Sequence, residues 1–242
     1  MNLTSIVYND IHEKYWGRHI MYKRITLALM VLSLVVFGFS QKSYAQTEQA
    51  MNRETKTIVT DQDAVNSALN VGAKMPSFSL KDGSGKMVSS KDLLKQGNLV
   101  IVFYRGDWCP FCNLYLRSLQ KRLTDISDAG GKLVAISVEN PDASMAVAKK
   151  NEVLFTVLSD PKLETARKFK IVYQLPDKTD TLYKSRGLDV AKHNEMERPE
   201  LPIAATYIVN KKGKIVYAFL DTDYKKRAEP DVIIENLKKL KS

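Results

Sequence analysis

The sequence predicts an α/β domain in which a central mixed β-sheet is flanked by helices. Two continuous apolar runs, 98–104 and 132–138, have the length and composition of strands that are buried on both faces. Segments with helical periodicity follow each run, so strands and helices alternate along this part of the chain. Two consecutive strands and a helix close the sequence, which adds antiparallel pairing to a parallel centre.

The folded part is expected to begin at Gly72. Phe78 and Leu80 alternate with polar residues as in a strand, and a turn follows at 82–85. The central strand at 98–104 leads into a helix that ends at Gly130. Its apolar positions recur every three or four residues and form one stripe: Cys112, Leu116, Leu119, Leu123 and Ile126.

The second half of the domain repeats the strand-to-helix order. Asn140 is a candidate helix cap, and Pro141 suits the first helical turn. The segment 171–201 is polar and less regular, with Pro176, Gly187 and Pro199. The remaining elements are predicted strands at 155–158, 204–209 and 214–220, and helices that begin near Asp160 and Pro230.

An export signal is predicted ahead of the domain. Two basic residues, Lys23 and Arg24, precede the uncharged segment 25–39, and small residues surround Tyr44. The apolar segment is shorter than the roughly 20 residues of a membrane-spanning helix, so we expect cleavage after Ala45. If it is not cleaved, 25–39 would anchor the protein in a membrane. The expected organisation is a lead-in at 1–20 (untranslated if Met21 is the start), a signal peptide at 21–45, a linker with one short helix at 46–71 and a domain at 72–242.

The chain is basic, with a formal net charge of +10, of which +7 remains after residue 45. The basic residues are scattered and no nucleic-acid recognition motif is present, so we expect no nucleic-acid partner. A solvated basic surface is the favoured interpretation. A membrane partner is expected only if the signal segment is retained.

The only two cysteines, Cys109 and Cys112, are three residues apart where the central strand meets the helix. A thiolate attacks peroxides and disulfides, and a helix N-terminus favours it. Arg105 can reach the same pocket and add positive charge. Cys109 precedes the helical stripe and is expected to be exposed, whereas Cys112 lies on it and is expected to be buried. This arrangement predicts a redox-active pair that forms a disulfide.

Other readings of the pair are weaker. A structural zinc site needs four Cys or His ligands. After residue 45 the chain offers two cysteines and His193, which we interpret as a surface residue. We therefore expect neither a metal nor another cofactor. An inert pair of core cysteines is disfavoured because Trp108, Pro110 and Arg105 gather at the same junction.

The stretch 104–112, Tyr-Arg-Gly-Asp-Trp-Cys-Pro-Phe-Cys, resembles a signature of peroxiredoxin-like proteins. These belong to the alkyl hydroperoxide reductase and thiol-specific antioxidant (AhpC/TSA) family of the thioredoxin superfamily. The resemblance extends from about Gly72 to the C-terminus. It implies a thioredoxin-like fold, and reduction of a peroxide at the expense of a thioredoxin-like thiol donor. Further matching stretches are 75–80, 157–161, 201–207, 221–224 and 227–230.

The resemblance leaves the roles of the cysteines open. Aligned on thioredoxins, Cys109 attacks and Cys112 resolves; aligned on atypical bacterial peroxiredoxins, the roles are reversed. Pro202 matches the proline that is cis in thioredoxins, so we expect a cis bond before it. Arg105, Trp108, Pro110 and Pro202 are the expected supporting residues of the site.

Two departures from the families matter. Arg105 stands where peroxiredoxins carry a proline, seven residues before Cys112. Phe103 stands where thioredoxins carry a buried acid, and Asp107 could substitute for it, although surface solvation is the favoured reading.

We therefore expect a thioredoxin-dependent peroxidase that reduces hydrogen peroxide or alkyl hydroperoxides. The alternative is an exported thiol–disulfide oxidoreductase that acts on protein disulfides in an oxidising compartment. A third interpretation is a non-enzymatic binding module that has the same fold.

Overall fold

The structure is a computed structural model that describes residues 59–240. The expected lead-in, the signal peptide and the first part of the linker lie outside the described residues. Between residues 59 and 240, no helix has the length and apolarity needed to span a bilayer.

Seven strands form one mixed sheet, in the order β2-β1-β5-β4-β3-β8-β9. The central strands β3, β4 and β5 are parallel, while β1, β8 and β9 pair antiparallel to their neighbours. Strands β6 and β7 form a separate antiparallel pair. The strands are β1 Ser79–Asp82, β2 Met87–Ser89, β3 Asn98–Tyr104, β4 Gly131–Ser137, β5 Thr156–Ser159, β6 Val172–Gln174, β7 Glu200–Pro202, β8 Thr206–Val209 and β9 Ile215–Phe219.

Helices connect these strands and pack on both faces of the sheet. The helices among the described residues are α1 Asp61–Ser67, α2 Ser90–Gln96, α3 Pro110–Lys121, α4 Leu123–Asp128, α5 Pro141–Lys150, α6 Glu164–Lys168, α7 Asp177–Ser185, α8 Val190–His193 and α9 Pro230–Lys238. The α/β class with a central mixed sheet is therefore confirmed.

Strand β3 is buried along its whole length and divides the core in two. Leu99, Ile101 and Phe103 point to one face, where Phe103 meets the ring of Phe169 at a centroid distance of 5.1 Å. The residues between them point to the other face and join the apolar side of α3. Successive side chains of a strand point to opposite faces of the sheet. Because both faces of β3 are buried, the strand needs an uninterrupted apolar run.

The predicted single helix after β3 is two helices, α3 and α4, which meet at Arg122. Arg122 has a non-helical backbone and pairs with Asp125, and also with Asp231 at the start of α9. The apolar stripe continues across this break because Ile126 of α4 is still fully buried. The apolar periodicity therefore predicted the buried face correctly. The prediction of one continuous helix was wrong.

The segment 171–201 is more regular than expected, since it contains β6, β7, α7 and α8. The folded unit also begins before Gly72. Helix α1 is closed by a capping box between Thr60 and Asp63, and its Ala64 is fully buried in the core. The described part of the expected linker is thus folded onto the domain.

Helix α9 provides a measurable test of this packing. Leu237 is fully buried, and a Cβ placed on Gly131 of β4 would lie 2.6 Å from its Cδ1. Leu237→Ala should lower the free energy of unfolding by about 2–5 kcal/mol, through lost burial and a residual cavity. Val232 on the same helix is 37% exposed, so Val232→Ala should cost less than about 1 kcal/mol. Urea unfolding of the full-length variants measures both, and equal losses would contradict this packing.

Candidate active site

The cysteine pair lies at the carboxyl end of β3, where the chain turns into α3. Cys109 is the N-cap of α3 and Pro110 occupies the first helical turn, as the sequence predicted. The Cys109 amide donates to the carbonyl of Gly106 (3.2 Å), and the Asn113 amide donates to the carbonyl of Cys109 (3.1 Å). Both cysteines are free thiols, so the structure represents the reduced pair.

Both sulfurs are enclosed. Cys112 is fully buried as expected, but Cys109 is also only 1% exposed, so the expected exposure of Cys109 is wrong. Cys109 belongs to an apolar cluster against which Trp108 and Tyr224 pack. Tyr224 comes from the loop before α9, more than a hundred residues later in the chain. A small molecule is therefore better suited to this site than a large one.

The two thiols have pKa values that are shifted in opposite directions. Hydrogen bonding from Cys112 lowers the pKa of Cys109 to about 6, against the opposing effect of burial, and the charges of Arg105 and Arg227 contribute further. Burial raises the pKa of Cys112, and this effect exceeds that of Arg227, whose Nη2 lies 3.5 Å from the Cys112 Sγ. The site therefore favours the thiolate form at Cys109 over Cys112.

Arg105 is a buried cation surrounded by aromatic rings. Its side chain is 2% exposed, and its guanidinium carbon lies 4.1 Å from the ring centre of Tyr224, 4.9 Å from Trp108 and 5.7 Å from Tyr183. Its Nη2 donates to the Tyr183 hydroxyl at 2.9 Å, while its Nε has no hydrogen-bond partner. Within residues 59–240 no carboxylate forms an ion pair with Arg105, and the groups that most raise its pKa are Tyr173, Tyr183 and Cys109.

The turn that carries Cys109 is held through both backbone polar groups of Asp107. The Asp107 amide donates to Glu139 Oε1 at 2.8 Å, and the Asp107 carbonyl accepts from Asn113 Nδ2 at 2.7 Å. Asn151 in turn donates to Asn113 Oδ1 at 2.8 Å. These bonds fix the position of the turn relative to β4 and α3.

Asp107, Glu139 and His193 form a polar cluster beside the turn. The His193 Nε2 lies 3.3 Å from Asp107 Oδ1 and 3.4 Å from Glu139 Oε1. His193 is exposed as expected, but it is paired, and so is Asp107. The potential ligand atoms of the three residues lie within 4.8 Å of one another. Since the Asp107 amide and His193 Nε2 already engage Glu139 Oε1, we interpret the cluster as a hydrogen-bonded network.

A family model described as the AhpC/TSA family matches residues 71–218, which is more than half of the chain. The chain belongs to the AhpC/TSA family. The family model includes the turn with both cysteines and most of the sheet.

Curated relatives of this AhpC/TSA protein are peroxiredoxins. "Peroxiredoxin Q, chloroplastic" of Populus jackii is 29% identical over 142 residues, covering 57% of this chain and 66% of the relative. "Peroxiredoxin Bcp" of Escherichia coli K12 is 31% identical over 104 residues, covering 43% and 65%. The chain thus spans just under two thirds of the length of these relatives. The solved structure of "Peroxidoxin BcpB from Mycobacterium tuberculosis" matches 72% of this chain and 99% of its own, with a TM-score of 0.59 at 17% identity. This match supports the thioredoxin-like fold.

Five of the six site residues expected for this AhpC/TSA chain meet at one turn. Pro202 lies in β7, where it pairs with Val172 of β6. The bond before it is trans, because residues 59–240 contain no cis peptide bond, so the expected cis bond is wrong. The residues that meet are Arg105, Trp108, Cys109, Pro110 and Cys112.

Sequence reasoning missed Glu139, Asn113, Tyr183, Tyr224 and Arg227. Glu139 was detectable, because it follows the strand parallel to β3 and both strands end at the same edge of the sheet. Tyr224 and Arg227 lie in stretches that carried the family resemblance. Tyr183 gave no signal, since it comes from a polar helix that has no buried residue of its own.

Gly106 lies close to both Trp108 and Glu139, so we expect that this position does not tolerate a side chain. Its φ is +144°, and a Cβ there would lie 2.5 Å from Trp108 Nε1 and 3.0 Å from Glu139 Oε1. Gly106→Ala should displace Trp108, shift its fluorescence and reduce peroxide reactivity about threefold or more, by misplacing the turn. Gly85→Ala is the matched control, because Gly85 also has a positive φ (+82°) but has open space around it. Identical fluorescence and reactivity in the two variants would contradict the assigned role of Gly106.

Proposed function

We propose that this protein is a thiol peroxidase that reduces hydrogen peroxide or alkyl hydroperoxides through Cys109 and Cys112. The observation that carries the proposal is a buried cysteine pair in which Arg227 contacts Cys112 and the charges of Arg105 and Arg227 help to lower the pKa of Cys109. The peroxiredoxin relatives support the same chemistry. The low exposure of Cys109 favours a peroxide over a protein disulfide, because a peroxide needs far less space around the sulfur.

The proposed reaction has two steps. The Cys109 thiolate attacks the terminal oxygen of ROOH, which breaks the O–O bond and leaves a sulfenic acid and RO⁻. A proton converts RO⁻ to the alcohol. Cys112 then attacks the Cys109 sulfur, its thiol proton joins the departing hydroxide as water, and the disulfide forms. The sulfur pair loses two electrons and the peroxide gains two.

Return to the dithiol needs two electrons from a thiol donor, which we propose to be a thioredoxin-like protein. The cysteine pair lies at the N-terminus of α3, the helix that also carries the exposed side chains of Phe111 and Leu114. We also keep as a proposal that residues 21–45 direct export, which would place the donor outside the cytoplasm. The N-terminal sequence of the mature protein tests export: a start at Gln46 supports it, and retention of 25–39 supports the membrane anchor.

A single-turnover experiment tests the proposed function. Reduced full-length protein is mixed with one equivalent of hydrogen peroxide, and the fluorescence of Trp108, which adjoins Cys109, is followed over the constant signal of Trp16. Oxidation far faster than that of free cysteine at the same pH supports a peroxidase, with the disulfide then identified by mass. A rate equal to that of free cysteine, together with rapid exchange against insulin disulfides, would identify a thiol–disulfide oxidoreductase.

A further inference from the structure

Oxidation of a buried dithiol by a peroxide requires a source of protons. The inference drawn from this requirement rests on the peroxidase reaction proposed above. One thiolate, one thiol, ROOH and one additional proton give a disulfide, ROH and water. The reaction therefore consumes one proton per turnover. Cys109 and Cys112 are 1% and 0% exposed, so bulk water has little direct access to either sulfur. A protein group near the pair is needed to supply the proton.

Glu139 is placed to be that group. Its side chain is 1% exposed, its Oε1 accepts from the amide of Asp107 in the active turn, and its Oε2 lies 3.4 Å from the Ser137 hydroxyl. Burial raises the pKa of Glu139 to about 7, so that the carboxyl is about half protonated at neutral pH. A group with this property can both hold and release a proton under ordinary conditions.

Tyr104 links Glu139 to the sulfur pair. Its hydroxyl is buried and without a hydrogen-bond partner at bonding distance in the dithiol form. The pKa of Tyr104 is raised by burial, and also by the negative charges of both Glu139 and Cys112. The hydroxyl of Ser137 is also close enough to act on it. The carboxyl of Glu139 and the sulfur of Cys112 are therefore both near enough to the Tyr104 hydroxyl to act on it.

His193 and Asp107 link Glu139 to solvent. The two side chains are about one third exposed, at 36% and 35%, and His193 Nε2 is within 3.4 Å of Glu139 Oε1. They act on the carboxyl in opposite directions: the Asp107 carboxylate raises the pKa of Glu139, whereas the hydrogen bond from His193 lowers it. Protons can therefore reach the buried carboxyl by way of this exposed pair.

We propose that Glu139 is a positioning residue and proton store for the cysteine pair, recharged from solvent through His193 and Asp107. It holds the Cys109 turn through the Asp107 amide and supplies the proton consumed during oxidation through Tyr104. Strand β3 has Phe103 where thioredoxins carry a buried acid, and β4 provides a carboxyl from the neighbouring strand end instead.

The experiment resolves the two phases of oxidation of the full-length protein, in buffer containing EDTA, from pH 5.5 to 8.5. The first phase, proportional to peroxide concentration, reports sulfenic acid formation; the second, independent of it, reports disulfide formation. In the native protein the first phase should become faster as Cys109 ionises near pH 6 and then slow as pH rises through about 7, because RO⁻ is released in this phase and Glu139 has lost the proton that RO⁻ needs. Glu139→Gln keeps an oxygen for the Asp107 amide but stores no proton. It should remove the inflection near pH 7 and slow the first phase about fivefold at pH 6.5.

Asp160→Asn is the matched control. Asp160 is also a buried carboxyl with a raised pKa, about 6, but it accepts the amides of Thr165 and Ala166 at the start of α6. This control should keep the native profile. An unchanged inflection in Glu139→Gln would overturn the role of Glu139 and leave the peroxidase function standing. A native first phase no faster than that of free cysteine would instead overturn the peroxidase function, and the role of Glu139 in it.

Two surface variants test the same proposal without altering a buried residue. Asp107→Asn removes the charge that raises the pKa of Glu139, so the inflection should move to lower pH. His193→Ala removes the hydrogen bond that lowers it, so the inflection should move to higher pH. Shifts in opposite directions identify Glu139 as the titrating group. Shifts in the same direction, or no shift in either variant, would contradict the proposal.

Discussion

Cys109→Ser is expected to lose peroxide reduction by at least about a thousandfold, because a serine hydroxyl does not ionise near neutral pH and cannot replace the thiolate. The remaining Cys112 does not compensate, since burial keeps its pKa raised and its thiol protonated. Single-turnover mixing with hydrogen peroxide measures the loss. The expected trace has no fast phase at all.

Cys112→Ser separates the two roles. This variant should still consume one equivalent of peroxide at the native rate and stop at the sulfenic acid, which dimedone traps and mass spectrometry detects. Steady turnover with a thiol donor should fall to background. If Cys112 is the attacking residue instead, the outcomes exchange: Cys109→Ser keeps the burst and Cys112→Ser loses it. The pair of variants therefore decides between the two alignments that the sequence left open.

Much of the fold was predictable because it depends on local patterns. The apolar runs of β3 and β4 could only be strands buried on both faces, and the spacing of the cysteines at a strand-to-helix junction located the site. The break at Arg122 was not predictable, because its partner Asp231 comes from α9. Local periodicity contains no information about such a contact.

The environment of the cysteines was less predictable for the same reason. Exposure of Cys109 was expected from its place at a helix tip, yet Tyr224 and Trp108 pack against its cluster. The carboxyl missing at Phe103 was sought on the same strand or in the turn, whereas it comes from the end of the adjacent strand as Glu139. Residues that complete a site from separate segments become visible only when the sheet order is known.

Arg105→Met tests how much of the reactivity of Cys109 depends on a buried cation. Arg105 contributes to the lowered pKa of Cys109, Cys109 acts in turn on the guanidinium, and no carboxylate of residues 59–240 forms an ion pair with Arg105. Removing the cation should raise the apparent pKa of the peroxide reaction from about 6 by roughly one to two units. Because only the thiolate reacts, the rate at pH 6 should fall about tenfold, while the rate at pH 9 should approach the native value.

Arg105→Met should change the free energy of unfolding little, although it reduces the reactivity of Cys109. A buried cation without a carboxylate partner carries a desolvation cost, and methionine fills a similar volume among the rings of Tyr224, Trp108 and Tyr183. The lost cation–π contacts are worth about 0.5–2 kcal/mol, which the relief of desolvation should largely offset. We therefore expect Arg105→Met to unfold within about 1 kcal/mol of the native protein, although its reactivity at pH 6 is reduced.

The matched variants of Arg105 separate charge from shape. Arg105→Lys retains the charge but loses the planar contact with the rings and should show an intermediate pH profile. Arg186→Met removes an exposed arginine at the end of α7 and should behave like the native protein. A rate for Arg105→Met that is reduced by the same factor at every pH would mean that the Cys112 hydrogen bonds and Arg227 hold Cys109 as a thiolate without Arg105. Arg105 would then serve mainly to anchor Tyr183 and Tyr224.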